Sequence, residues 1–499
     1  MLQPDDNSLH SLAYFFFREN NPETRSVNQA LRDIAYQLSE DDAFYGNELL
    51  RKLGSRDDIK TIPSAFRSLF NTPCTTDTRT RSIYLFLDGV DEAEQVEMDD
   101  LLRLLAEVPS RYQSTRIQVA LVGRNVMSET ISMFLDEQGT GESLRTIHVT
   151  HESIAPDVRA YIIDELRRSR VLRRSRPQFK EEVAQRMIKQ VDGLFILARF
   201  MVSEINQKTH PRMILQSLSE YPPEINGMLH KVMEQLSATL AEAHAADLNE
   251  ALMWVTCAEQ TLTLEQIELI LELRFGDKPF NLEETLRSQY SCFFHLTRDD
   301  GLTTADLYQR HADQNPTHDS PRRSSRSPSS SRSRDRSQDS PDLFEQPVDT
   351  DFNSNKKTTT VMFYHASISE FLRDDMSNGV KAKGGPAIGF DLAKARLHVL
   401  KTGLRILLEP KSFRRSPKDG PMWRYATWYW QEHLSCADKS KISPEDKKYI
   451  GHCLHKLLTS PKHILHWTQE EESLKLFTDR NMEALKQWMT DPDVLSGLD

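Results

Sequence analysis

Arg81–Glu92 reads RSIYLFLDGVDE, and the fold turns on how these twelve residues are read. Ile83 to Leu87 are apolar or aromatic without alternation. That is the pattern of a strand buried on both faces, as in a parallel sheet covered by helices. The run then meets Asp88, Gly89, Asp91 and Glu92. Carboxylates at the carboxyl end of such a strand lie where open α/β sheets bind ligands. One acid there can hold Mg²⁺ through water, and a second can orient an attacking water. The same residues also read as a strand followed by a solvated acidic turn.

Working outward, Ser11–Phe17 (SLAYFFF) gives a second buried-strand pattern. Ser26 with Gln29 three residues on predicts a capping box. Val27, Ala30, Leu31, Ile34, Ala35 and Leu38 then share one helical face. Met98, Leu101, Leu102 and Leu105 do the same after the acidic turn. Ile117–Val122 (IQVALV) is the next strand and stops at Gly123-Arg124-Asn125; Thr146–Val149 is a fourth, shorter candidate. Strands alternating with helices of this length predict a parallel α/β sheet. Parallel strands would bring Arg124 to the same edge as Asp88, where a guanidinium can fork onto a phosphate. An ordinary loop arginine is the alternative.

The length of 499 residues accommodates roughly three domains. No apolar run approaches the roughly 20 residues that span a bilayer, and the first ten residues carry acids and no basic leader. Cys74, Cys257, Cys292, Cys436 and Cys453 are scattered, odd in number and without CxxC spacing. They point to a reducing compartment, hence a cytoplasmic protein, and away from a zinc site or disulfide framework. A net charge of −11, spread along the chain, disfavours a constitutive nucleic-acid binder.

From Ile154 to about Leu240 the pattern is helical, with Pro156 suited to a first turn. A stripe of Val158, Tyr161, Ile162 and Leu166 follows, and Gly193 leads into the apolar run Leu194–Ala198. Ala251–Ala258 reads as a buried helix, and Thr263 with Gln266 as a second capping box before Ile267, Ile270 and Leu271. Ser291–Leu296 and Thr358–Tyr364 read as strands, which completes the helix, helix, strand, strand order of a winged helix. His365 ends the second strand, and Ser367 with Glu370 is expected to cap the helix carrying Ile368, Phe371 and Leu372. Between the strands, residues 302–357 centre on SPRRSSRSPSSSRSRDRSQDSP, too poor in apolar residues to offset ordering entropy, and predict a disordered insertion. Ser320, Ser327 and Ser340 each precede Pro, a pattern for proline-directed phosphorylation. A short Ser/Arg tract also invites an RNA-processing reading, against which stands the lack of an RRM aromatic signature. From Phe390 the chain is helical again, and the aromatic run Trp423–Leu434 (WRYATWYWQEHL) reads as core.

Taken in order, several stretches resemble the NACHT domain of STAND-type signal-transduction NTPases. The likeness is to fungal NOD-like receptors with a nephrocystin-type N-terminal domain. The stretches are FFFRENNPETRSVNQALRDIAYQL, YLFLDGVDEAE, VALVGR, DVRAYI, GLFILA, LMWVTCAEQTLTLEQI, YHASISEFL and WRYATWYWQEHL. The resemblance implies that Asp88 orders Mg²⁺, that Asp91 and Glu92 polarise the hydrolytic water, and that Arg124 senses the γ-phosphate. It implies that His365 touches the β-phosphate of ADP; a place just before a helix N-terminus independently favours an anion. Where this chain has Val122-Gly123-Arg124, the family more often has Thr-Ser-Arg. The family's phosphate cradle, G-x-x-x-x-G-K-[ST], is expected before the Ser11 strand, yet no Gly-Lys pair occurs in the sequence. Without it Mg²⁺ and ATP or ADP, the family's cofactors, lose the backbone cradle and lysine that hold the phosphates. The expectation is a truncated or degenerate member with little nucleotide cycling. A non-enzymatic adaptor or decoy is the second reading.

The expected fold is therefore α/β plus all-α. A partial P-loop-type sheet without its P-loop occupies 1–150, a helical domain 151–245, a winged helix with its insertion 246–375, and a helical C-terminal region 376–499. Expected partners are proteins, either homologous NACHT proteins or further copies of the chain, with no nucleic acid and no membrane span.

Overall fold

The computed structural model describes residues 9–19, 22–53, 59–71, 81–107, 115–124, 126–136, 145–169, 171–173, 175–191, 193–206, 208–222, 224–298, 354–374, 379–408, 420–468 and 478–496. They divide into two compact units. One is residues 1–150 with 258–260, and the other is residues 151–257 with 261–499.

The first unit is built on a parallel sheet of order β1-β2-β3: Leu9–Phe16, Arg81–Asp88 and Thr115–Val122. The register is unbroken, with Ala13 beside Leu85 and Leu85 beside Val119. Helices α1 (Val27–Asp41), α2 (Ala43–Lys52), α3 (Ile62–Phe66), α4 (Gln95–Glu107) and α5 (Val126–Asp136) complete it. Ser26 caps α1 by accepting from Gln29 N–H at 3.3 Å, but the reciprocal half of the box is not made by Gln29, whose amide reaches Asp33. Glu97 of α4 instead takes the next two amides, its Oε2 accepting from the N–H groups of Val27 (2.6 Å) and Asn28 (3.2 Å) and from the Ser26 hydroxyl. A carboxylate on two orphan amides of a helix start meets both the unpaired donors and the helix dipole.

Two expectations are corrected here. The strands are not buried on both faces. Ala13, Phe15, Phe17, Ile83, Leu85 and Leu87 pack into a core with Leu31, Ile34, Leu38, Phe66 and Met98. Their alternates Leu12, Tyr14, Phe16, Tyr84 and Phe86 are exposed, Leu12 at 58% and Tyr14 at 51%. An apolar run fits both a doubly covered strand and a singly covered one that carries aromatics outward. Thr146–Val149, in turn, forms no strand, and Ile147 (79%) and Val149 (73%) are exposed. Four residues with two apolar side chains gain too little from burial to hold a ladder. At the outer side of β1, Gln37 bonds both backbone groups of Tyr14: its Oε1 accepts from the N–H at 3.0 Å and its Nε2 donates to the carbonyl at 2.9 Å.

The second unit begins with α6 (His151–Arg168), α7 (Pro177–Val191), α8 (Phe195–Asn206), α9 (Pro211–Ser219) and α10 (Ile225–Thr239). Pro156 lies inside α6 rather than at its first turn, because the helix starts at His151, before the expected Ile154. Gly193 is left-handed (φ 78°) and closely packed; a Cβ there would stand 3.1 Å from His151 Cα. Next come α11 (Glu242–Cys257), β4 (Leu262–Thr263), α12 (Leu264–Phe275), α13 (Leu282–Arg287), β5 (Phe294–Thr297), β6 (Thr360–Phe363) and α14 (Ala366–Asp374). The three strands form an antiparallel sheet of order β4-β6-β5.

Both halves of the Thr263–Gln266 capping box are present. The expected insertion 302–357 lies outside the described residues except for its last four, residues 354–357. Ser354 bonds Glu283 and Lys356 pairs with Glu268, while the Lys356 carbonyl accepts from Glu265 N–H at 3.0 Å. The segment has charged partners on α12 and α13 that its own composition does not reveal.

Helices α15 (Leu392–Leu408), α16 (Pro421–Cys436), α17 (Pro444–Thr459), α18 (Pro461–Thr468) and α19 (Asp479–Met489) follow. The aromatic run of α16 is core: Tyr425 and Trp430 are buried, and Tyr425 meets Trp254 edge-on at 6.0 Å. Buried Glu250 gathers three donors from three helices. Trp254 Nε1 lies at 2.9 Å, Arg274 Nη1 at 2.6 Å and His398 Nε2 at 2.7 Å. Among the described residues no helix is long and apolar enough to cross a membrane.

Candidate functional site

The carboxyl ends of β1, β2 and β3 come together at one edge of the first sheet. Asp88 is the last residue of β2; it is half-buried, and its carbonyl accepts from Phe17 N–H at 2.8 Å. Gly89 then adopts φ 70°, a left-handed conformation in which a Cβ would sit 2.9 Å from the Phe17 carbonyl oxygen. Both the dihedral and the close approach require glycine. The reversal starts a 3₁₀ turn, Val90–Glu92, closed by Glu92 N–H donating to Gly89 O at 2.8 Å. Val90 anchors the turn in the core, and Asp91 and Glu92 project from it in different directions.

Asp91 meets Arg124. Its Oδ2 lies 3.1 Å from Arg124 Nε, and its Oδ1 accepts from Arg124 N–H at 3.1 Å. The Asp91 side chain is 10% exposed, that of Arg124 46%. Gly123 allows this approach, since a Cβ on it would stand 2.8 Å from Val90 Cγ2 and 3.0 Å from Asp91 Oδ1. Glu92 turns the other way, and its Oε2 accepts from Glu19 N–H at 3.1 Å. Burial pushes its carboxyl above the usual range, opposed by the Glu19 amide and the Arg18 and Arg124 charges.

Four of the five residues singled out in the sequence thus stand at this edge: Asp88, Asp91, Glu92 and Arg124. His365 belongs to the second unit, directly before α14. Its Nδ1 accepts from Ser367 N–H at 3.1 Å, so His365 does the capping expected of Ser367, which lies within the helix. That bond requires an unprotonated Nδ1. The preceding Tyr364 is held by Arg199 of α8, whose guanidinium carbon lies 3.4 Å from the ring centroid and whose Nη2 donates to Ser291 O at 3.2 Å.

The three acids of the edge are not gathered on one point. Among the described residues no three His, Cys, Asp or Glu side chains form a metal-holding group. Asp88 fits a hydrated Mg²⁺, which needs only one or two carboxylates. The Nε and backbone N–H of Arg124 both lie on Asp91, so neither of these two donors is turned toward a phosphate. Sequence reasoning missed Glu19, Glu97 and the role of Gly123. Glu97 is 71 residues from the Ser26 cap it bonds, and no local pattern links them. Gly123 did carry a signal, as the small residue where the resembling family has Ser.

Residues 1–124 match the sequence model of a family described as nephrocystin 3, N-terminal. The match runs from the first residue through Arg124, so it contains β1, β2, β3 and the acidic turn. Over these residues the chain is similar to a nephrocystin-type N-terminal domain. A search of the curated proteins finds no match.

Proposed function

We propose that the chain is a signalling protein of the NACHT/STAND class, of the fungal innate-immunity or cell-death type, that does not cycle nucleotide efficiently by itself. The observation that carries this reading is the middle strand of a parallel sheet ending in Asp88, with Arg124 leaving the neighbouring strand at the same edge. The nephrocystin-type match over residues 1–124 supports it. So does the element order of residues 242–374, which is that of a winged helix followed by a helix that His365 caps. In such a protein Asp88 would hold a hydrated cation and Gly89 keeps the acidic turn in place, while Asp91 fixes Arg124 at the edge. Mg²⁺ and ATP or ADP, bound in complete members, supply the energy that separates the resting and active arrangements.

The engagement of Arg124 Nε and N–H by Asp91 argues for weak nucleotide binding by this chain. The test is a thermal-shift titration of the full chain with Mg²⁺ and ATP or ADP. No stabilisation is expected. A micromolar affinity that disappears in Asp88→Ala would replace this reading with that of a working switch. The second reading is a non-enzymatic adaptor for full-length relatives, which the closed state of the edge also favours. Pull-down of a complete NACHT protein by the wild-type chain, unchanged in Asp88→Ala, would support it.

A further inference from the structure

We propose that the open face of the first sheet is an interface between two copies of this chain, packed sheet to sheet with their strands antiparallel. The contact goes beyond the proposed function and does not rest on it.

Topology explains why the face is open. In the strand order β1-β2-β3 both crossovers advance in the same direction across the sheet. Right-handed crossovers then lay their helices on one face. Leu31 and Leu38 of α1 and Met98 of α4 lie there, in one core with Ile83 and Leu85. The other face receives no helix from either crossover. It carries Leu12 (58% exposed), Tyr14, Phe16, Tyr84 (36%), Phe86 and Val122. The register makes the patch continuous: Tyr14 stands beside Phe86, and Phe16 and Val122 flank Asp88. Parallel sheets are covered on both faces almost without exception, and a contiguous apolar patch marks a contact surface.

Area and charge select a second copy as the cover. An aromatic side chain has roughly 150–250 Å² to lose, so these exposed fractions come to roughly 500 Å² per copy and about 1,000 Å² for two, the lower bound of a specific interface. A flat face of three strands matches an identical face, as two sheets pack with their strands nearly aligned. Asp88 is the only acid on this face among the described residues, and it lies at the carboxyl end of the strands. His10 lies at the opposite end, its ring 6.2 Å from that of Tyr84. Parallel stacking would set two Asp88 carboxylates over each other. Antiparallel stacking sets each over the His10 and Ser82 end of the other copy. It also brings Tyr84 of one copy over Phe86 of the other, and Leu12 over Tyr14.

The test is sedimentation of the full chain from about 1 to about 200 µM. Wild type is expected to dimerise with a micromolar dissociation constant, as suits an interface at the small end of the range. Tyr84→Lys and Phe86→Glu should each weaken the dimer by at least about tenfold, because each buries an unpaired charge. Mixing the two variants should restore dimers, since the lysine then faces the glutamate. Should either variant fail to fold by circular dichroism, Leu12→Lys and Tyr14→Glu are the second pair, with the same expected loss and recovery. A chain that stays monomeric throughout overturns the proposal and leaves the face to a helix of another protein. Dimers that neither pair weakens overturn it as well, as does weakening without recovery on mixing.

Discussion

Glu250 and Asp91 are both acids bonded to an arginine, and they live in different worlds. Glu250 is 3% exposed by side chain and takes donors from α11, α12 and α15, which it ties together. Despite its burial its carboxyl is held below the usual range, by His398, Trp254 and Arg274 in that order. Asp91 has Arg124 alone among the ion pairs seen, at the rim of a sheet where half the guanidinium meets water. Enclosure with several donors makes a structural pin. One pair at a rim makes a contact that can open.

That contrast can be broken by substitution. Glu250→Ala should destabilise the second unit by about 3 kcal/mol, since it leaves the Arg274 and His398 side chains without their buried acceptor. Urea unfolding measures this, and a loss under about 1 kcal/mol would demote Glu250 to an ordinary surface acid. Acid sharpens the same point. His433 is buried, bonded through Nε2 to the Tyr425 hydroxyl at 2.8 Å, and burial, with Arg396 nearby, pushes its pKa down to about 3. A base with a depressed folded-state pKa contributes its full stability above the unfolded value of 6.5 and loses it as pH falls from there toward 3. Stability should drop by on the order of 2 kcal/mol between pH 7 and pH 5, and His433→Gln should flatten that slope. Unfolding curves with equal slopes would refute the assignment.

At the rim the effects are smaller. Gln37→Ala removes two hydrogen bonds to Tyr14 and should cost about 1 kcal/mol in the first unit. Asp91→Asn should change stability by less than about 1 kcal/mol, because much of the pair's attraction is screened by water. Hydrogen exchange at Arg124 N–H would rise in that variant while Leu85 and Val119 stay protected. Equal acceleration throughout β2 and β3 would mean the pair is part of the core after all.

The sequence made the parallel sheet, three of its strands and the core face of α1 legible, because apolar periodicity and turn residues act locally. It misjudged coverage. Tyr14, Phe16, Tyr84 and Phe86 look like core residues, and only the positions of the helices decide which face is filled. Asp88, Asp91, Glu92 and Arg124 could be placed at one edge from strand polarity alone. Their pairing could not, since it depends on a φ of 70° at Gly89 and on the empty space at Gly123. His365 was read at the right position, but the cap was assigned to Ser367 because serine is the commoner capping residue. What stayed hidden throughout was long-range: Glu97 on the start of α1, Lys356 on Glu268, Arg199 on Tyr364.

Gln37 gives the first sheet a polarity of its own. A primary amide has the same donor and acceptor as a peptide unit, so this side chain stands in for a neighbouring strand at Tyr14. No comparable pair is found beside β3 among the described residues. The stopper beside Tyr14 is a single functional group, and its conversion to a carboxylate would remove its donor.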